Sequence, residues 1–209
     1  PYLTAQEIEV GYSSMWVARV TYVGELGFEL YIPADQAVSV WETLVAANTD
    51  GSDLGLKPVG LAAMGGLRLE KGYRDYGVDI ENTDDPVSSG LAFAVAWDKP
   101  TEFRGKQALQ AKRADKSNRT VSVLLNDPEP LLYGAEPVYR GDTWVGYMLA
   151  GGYGHTLGGA VGLATIDNAD GVTSAWLGEG DFYVVVAGER VPATLSLRPL
   201  YDPDRLRVR

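Results

Sequence analysis

The chain has 209 residues, 45% of them apolar and 22% charged, with 18 basic against 28 acidic side chains and a net charge of -10. That is long enough for one large domain or two small ones, too apolar for a disordered tail, and too acidic for a general nucleic-acid binder, whose phosphate contacts need a basic surface. The absence of cysteine excludes disulfides and thiolate chemistry, the single His155 leaves no histidine cluster for zinc or iron, and no apolar run approaches a membrane span, so neither metal catalysis nor membrane insertion is expected.

Pro1 is not an initiator methionine, and no basic segment followed by an apolar one marks a leader, so the sequence is expected to start inside a longer polypeptide. Two β-rich runs, Met15 to Val23 and Leu26 to Ile32, flank Gly24-Glu25 and predict a tight antiparallel hairpin. The segment PADQAVSVWETLVAA predicts a helix with Ala37, Val38, Trp41, Leu44 and Val45 on one stripe and Asp35 at its positive end. A second helix is expected in PVGLAAMGGLRLEKG, from Pro58 in the first turn to a stop near Gly72. Inside it Gly65-Gly66 lowers helix propensity and signals the close approach of another element or of a ligand.

LAFAVAW, Leu91 to Trp97, reads as a further strand, giving a β-β-α-α-β first half with helices on one face of a small antiparallel sheet. From Asp98 to Arg119 there are seven Lys or Arg against three acids, around a short helix in FRGKQALQAKRA. This basic stretch is either a solvated surface or an attraction for an anionic ligand or partner domain. Beyond it, RTVSVLL, EPVYRGDTWVGYMLAG, AVGLATI and FYVVVAGERVPATLSL are short strands between Gly-rich turns, the pattern of a compact barrel or sandwich. The expected organisation is therefore α+β over 1–98, a basic helical connector over 99–117, and a β-barrel-like domain over 118–209.

Among candidate functional residues, Glu25 stands alone between glycines. It is either a cap for turn N–H groups or a carboxylate able to accept two parallel N–H donors from a flat nitrogen heterocycle. In LRLEKGYRDYGVDI, Arg68, Lys71 and Arg74 recur every three residues and would share a helix face able to hold an anion, with Glu70 pairing Arg74 where the turn allows. Ordinary salt bridges account for the spacing equally well. Tyr73 and Tyr76 beside them serve packing or ring stacking. GGYGHTLGG matches no phosphate-loop spacing and reads as a tight β connection, with His155 as a loop residue. DIENTDD reads as an acidic loop that supports no two-carboxylate hydrolysis.

Taken together, YVGELGFELYIP (Tyr22 to Pro33), LRLEKGYRDYGVDI (Leu67 to Ile80), DDPVSSGLAFAV and FRGKQAL (Phe103 to Leu109) resemble the glycine-cleavage T-protein (aminomethyltransferase) superfamily. They look most like its folate-binding module fused to dimethylglycine and sarcosine dehydrogenases or oxidases, and GGYGHTLGGAVGLATI resembles the C-terminal barrel segment of that family. The resemblance implies a partial aminomethyltransferase folate-binding fold followed by a barrel, with tetrahydrofolate as ligand. Glu25 matches the acid that binds the amino-pyrimidine edge of the pterin, Arg68 lies near the folate side, and Tyr73 and Tyr76 wall it. Where T-proteins commonly read A-R-D-S before this motif, the chain reads AMGG, Ala63 to Gly66, so Met64 replaces an arginine that the family can use.

The family's catalytic aspartate is expected in a first lobe that precedes these motifs, so no catalytic residue is assigned here. FAD is expected only in an upstream region of a fused parent, whose domains would be partners of this chain. The cytoplasm is the expected location, with the mitochondrial matrix as the family's other option.

Overall fold

The computed structural model describes residues 1–49 and 55–209. They divide into two compact units, Pro1–Met64 with Asp204–Arg209, and Gly65–Pro203.

The first unit is built on a three-stranded antiparallel sheet of β1 (Ala5–Val10), β2 (Ser13–Ala18) and β3 (Glu29–Tyr31), in that order. β1 and β2 form the hairpin, closing at Val10 and Ser13. β2 alternates strictly: Met15 and Val17 point inward while Trp16 points out, opposite Tyr31 on β3. The expected tight hairpin at Gly24-Glu25 is therefore replaced by a loop over 19–28, because β3 pairs with β2 only from Ala18 and Glu29 onward. Gly24 has φ of 79°, and a Cβ on Gly27 would lie 2.9 Å from the Val20 carbonyl oxygen, so the loop doubles back on itself there.

A 3-10 turn (Ala34–Gln36) leads into α1 (Ala37–Thr49). The core-facing residue of α1 is Val40, which packs with Met15 and Val17 and, at the edge, Ile8, Val10 and Ile32. The stripe expected to be buried faces outward instead, with Val38 69% and Trp41 55% exposed. The periodicity was real, but a helix with two apolar sides cannot disclose which of them meets the sheet.

α2 (Leu61–Glu70) begins in the first unit and ends in the second, starting three residues beyond Pro58. Its C-terminus is closed by two backbone bonds, Tyr73 N–H to the Arg68 carbonyl at 2.9 Å and Gly72 N–H to that of Leu69 at 3.0 Å, with Gly72 left-handed at φ of 66°. This is the Schellman arrangement, which only glycine adopts without cost. The strand expected over Leu91–Trp97 is instead a 3-10 turn, Ala92–Ala94, where the Trp97 indole N–H donates to the Ala92 carbonyl at 2.9 Å. An alanine-rich run has little β preference to resist that local bond. α3 (Lys106–Lys112) occupies the basic segment, as expected.

The rest of the second unit is a closed antiparallel barrel of β4 (Asn118–Leu125), β5 (Pro137–Arg140), β6 (Thr143–Gly154), β7 (Gly159–Asp167), β8 (Phe182–Val186) and β9 (Glu189–Ser196), in the order β4-β7-β6-β5-β8-β9. A short helix, α4 (Ser174–Gly178), is capped by the Thr173 hydroxyl, which accepts from Trp176 N–H. Val121, Val123, Val138, Met148, Ile166 and Val184 fill the core. Register shifts after Val138 and Met148 bend β5 and β6 where the sheet closes. Leu69 of α2 packs with Ala150, Val161 and Leu163 in a smaller cluster.

Candidate functional site

The motif LRLEKGYRDYGVDI lies in the second unit, and Arg68, Glu70, Lys71 and Arg74 each have a different partner. Arg68 ion-pairs with Asp79 and donates to the Tyr73 carbonyl at 3.2 Å. Glu70, 1% exposed, accepts the N–H groups of Thr156 and Leu157, both at 2.8 Å, and so holds the β6–β7 turn. Lys71, also 1% exposed, reaches Asp202 Oδ2 at 2.6 Å and its carbonyl oxygen at 2.9 Å. Arg74 donates to the carbonyls of Ser89, at 2.9 Å, and Gly72. Burial pushes the Arg74 guanidinium below its ordinary value, and the charge of Asp79 opposes that shift.

Of the two alternatives for Arg68, Lys71 and Arg74, a shared anion-holding face and pairing within the protein, the structure shows the second, and Glu70 bonds the Thr156 and Leu157 amides and not Arg74. The helix ends at Glu70, so the periodicity that would align the three stops after the first of them. These groups instead tie the end of α2 to the loop at Asp79, the barrel turn and the segment at Asp202. Leaving such buried charges without partners would be costly, which explains why each has one.

The structure brings Arg68 and Tyr73 together through that carbonyl and leaves Tyr76 71% exposed, in a short parallel bridge with Ile80. Glu25 is half-buried in the 19–28 loop of the first unit, beside the buried Gly24. His155 is exposed in the β6–β7 turn, its ring edge-on to Tyr153 at 5.1 Å. Gly66 fits the expectation of close approach, since a Cβ there would lie 3.0 Å from the Tyr153 carbonyl oxygen, whereas Gly65 faces open space.

The acidic loop is ordered by its own backbone. Asp84 accepts from Glu81 N–H at 2.8 Å. Burial raises the Asp85 carboxylate, but the N–H of Ser88, the Lys112 ammonium, the Ser88 hydroxyl and the N–H of Val87 outweigh this and hold it down at about 2. In the basic stretch Arg113 lies over the Trp97 ring at 4.7 Å and Arg119 donates to the carbonyls of Val87 and Asp115. Among the described residues no group of three or more His, Asp or Glu side chains is placed to hold a metal ion. The roles of Glu70, Lys71 and Asp79 carry no local sequence signal, because their partners are distant along the chain.

The GCVT N-terminal domain model matches residues 1–99, and the glycine cleavage T-protein C-terminal barrel domain model matches residues 118–202. The chain is an aminomethyltransferase-fold domain of the glycine-cleavage T-protein type. It is 44% identical, over all 209 residues, to 24% of the length of a 4-methylaminobutanoate oxidase (formaldehyde-forming) from Paenarthrobacter nicotinovorans. It is 29% identical to mitochondrial sarcosine dehydrogenase of Mus musculus, covering 23% of that protein, and 33% identical to an aminomethyltransferase of Corynebacterium aurimucosum, covering 53%. The crystal structure of glycine cleavage system aminomethyltransferase T from Bartonella henselae superimposes with a TM-score of 0.76 at 25% identity, over 95% of this chain and 52% of that one. The chain thus spans between about a quarter and about half of these relatives.

The residues present suit a folate in part. The half-buried Glu25 carries the two carboxylate acceptors that a heterocycle bearing adjacent N–H donors calls for, and the exposed Tyr76 ring offers an apolar face. Arg68 is a paired, buried charge.

Proposed function

We propose that this chain is the tetrahydrofolate-binding part of a dimethylglycine or sarcosine dehydrogenase- or oxidase-like enzyme, helping to pass the one-carbon unit of an oxidised N-methyl amine to tetrahydrofolate. The observation that carries this reading is the match of the whole chain, at 44% identity, to about a quarter of a relative named for oxidising a methylamino acid. Tetrahydrofolate, when bound, supplies the two amine nitrogens that take up the carbon. In this reading Glu25 orients the heterocycle by accepting its N–H donors, Tyr76 and Tyr73 wall it, and Arg68 keeps the Tyr73–Asp79 segment in place. Enclosure by the protein would shield the reactive carbon from water.

Upstream domains of the same polypeptide are the proposed partners. What supports this is the outer surface of the first unit, where Trp16 and Tyr31 pair across strands and Val38 and Trp41 line α1, all more than half exposed. Large exposed apolar side chains of this kind favour contact with further protein.

Two other readings have specific support. The 44% identical relative is named as formaldehyde-forming, which favours release of the carbon as formaldehyde. The match to 53% of an aminomethyltransferase favours a stand-alone glycine-cleavage enzyme. The test is turnover of dimethylglycine, sarcosine and 4-methylaminobutanoate by the intact parent polypeptide, with and without tetrahydrofolate, in the presence of a formaldehyde scavenger. Methylenetetrahydrofolate formed despite the scavenger supports the proposal, and trapped formaldehyde in unchanged yield replaces it with the release reading. A parent without flavin or amine oxidation returns the chain to the glycine-cleavage reaction, and folate binding without any turnover makes it a silent folate-binding module.

A further inference from the structure

A cleft of about 520 Å³ opens beside β9 in the second unit. β8 pairs with β9 no further than Tyr183 and Pro192, whereas β9 runs on beside β4, from Ala193 opposite Leu125 to Ser196 opposite Ser122. The chain passing from α4 into β8 borders the gap this leaves, and the buried Leu177, Phe182, Ala193 and Leu195 form its apolar wall. Tyr183, Arg190 and Asn126 bring polar groups to the lining, and among the described residues the exposed Asp181 is its one acid.

Tyr183 is 9% exposed, and its hydroxyl is buried with no hydrogen-bond partner among the described residues. Its ring is held from both sides. Tyr139, on the neighbouring strand β5, stacks parallel to it at 5.3 Å, and Arg190, on the opposite neighbour β9, holds its guanidinium 4.5 Å from the ring centre. With both faces covered, the ring turns to the cleft its edge, which carries the hydroxyl. A buried hydroxyl without a partner is uncommon, and where one lines a cleft a ligand acceptor is the natural complement. Other donors line the same cleft. Arg190 gives Nη1 to Asp142 at 3.0 Å in an exposed pair, which leaves the rest of its guanidinium, and Asn126 Oδ1 accepts from the Thr194 hydroxyl at 2.9 Å, which leaves its amide N–H groups. A Cβ on Gly180 would lie 2.6 Å from Arg140 Nε, likewise buried without a partner, so a second guanidinium lies next to the lining.

We propose that this cleft binds a small organic monocarboxylate, whose carboxylate accepts from Tyr183 and Arg190 and whose apolar body lies against Leu177, Phe182 and Leu195. Hydrogen bonds between a guanidinium or hydroxyl and a charged acceptor are the strong ones, which favours a carboxylate over a neutral acceptor. Inorganic phosphate would leave the apolar wall without a partner and would bring more negative charge past Asp181. A cation would meet Arg190, with Asp181 alone to hold it. The volume falls within the range of small-molecule sites. The inference stands on the barrel alone and does not depend on the folate reading.

The test is titration of sodium benzoate into the 209-residue protein, followed by backbone amide NMR shifts at constant ionic strength. Saturable shifts confined to residues 126, 177–183 and 190–195 are expected. Tyr183→Phe keeps both stacking contacts and removes a hydroxyl that has no partner among the described residues. It should leave the melting temperature undiminished while weakening benzoate about tenfold, a combination that a merely structural tyrosine would not give. Arg190→Gln alters an exposed side chain and should weaken benzoate by a similar factor. The proposal is overturned by the absence of saturation at the highest benzoate concentration the folded protein tolerates, by shifts elsewhere, or by unchanged affinity in either variant. Equal binding of neutral benzamide, or preferred binding of sodium phosphate, overturns it in favour of an apolar groove or an inorganic-anion site. If a variant loses its folded spectrum, the benzamide and phosphate comparisons on the unaltered protein decide.

Discussion

Lys71→Met removes an ammonium from one of the most enclosed points of the protein while keeping the side chain's stem. Lys71 is 1% exposed and its Nζ lies 2.6 Å from Asp202 Oδ2, whose side chain is 8% exposed. Deleting the cation removes the Lys71 ammonium from both the Asp202 carboxylate and the Asp202 carbonyl and puts a thioether in its place. Breaking one side of a buried pair costs about 3–5 kcal/mol, a large share of a typical domain stability of about 5–15 kcal/mol. The same reasoning predicts that Lys71→Met with Asp202→Asn is less damaging than Lys71→Met alone, because no charge is then stranded, and Asn tolerates the left-handed backbone of Asp202 at φ of 42°. Urea unfolding at pH 7, followed by tryptophan fluorescence for the wild type, both single variants and the double, measures the coupling. A cost below about 1 kcal/mol for Lys71→Met, or costs that simply add in the double variant, would refute the claim that this buried pair anchors the Asp202 segment.

Three further outcomes are expected. Glu25→Gln in the full-length parent should stay folded yet bind tetrahydrofolate about 2 kcal/mol more weakly, roughly thirtyfold in Kd by calorimetric titration; equal affinity with a lowered melting temperature would make Glu25 a turn cap. Gly65→Ala should stabilise by about 0.5–1 kcal/mol because its Cβ enters open space in a helix, whereas Gly66→Ala should not gain this, since its Cβ meets the Tyr153 carbonyl at 3.0 Å; urea midpoints of the two variants decide. The Asp85 carboxylate is held at about 2 in the folded chain, below its unfolded value, so its contribution is present above about pH 4 and disappears as pH falls through about 2. Melting temperatures of Asp85→Asn and wild type should therefore differ at pH 6 and converge towards pH 2.

The barrel was legible in the chain because its strands are written locally. Runs such as RTVSVLL and FYVVVAGERV carry β-branched residues between glycine turns, and these preferences survive in the folded structure as β4, β8 and β9. The family motifs were legible for the same reason, being contiguous. The first unit was less so. Met15 to Val23 has enough apolar residues to suggest a long strand, yet β2 ends at Ala18, because the length of a strand depends on how far a partner runs beside it. Likewise α1 showed an apolar stripe, but only packing against Met15 and Val17 selected Val40 as the side that is buried.

The charged motif shows the division most clearly. Three-residue spacing placed Arg68, Lys71 and Arg74 together, and the chain left its helix after Glu70 and sent them to different partners. Asp79 is 11 residues from Arg68, the Thr156 amide 86 from Glu70, and Asp202 131 from Lys71. Residue order determines which side chains are available and the local turns that begin to aim them. Which buried charge meets which is decided only when distant segments pack, since a charge removed from water must find its partner wherever the fold has brought one.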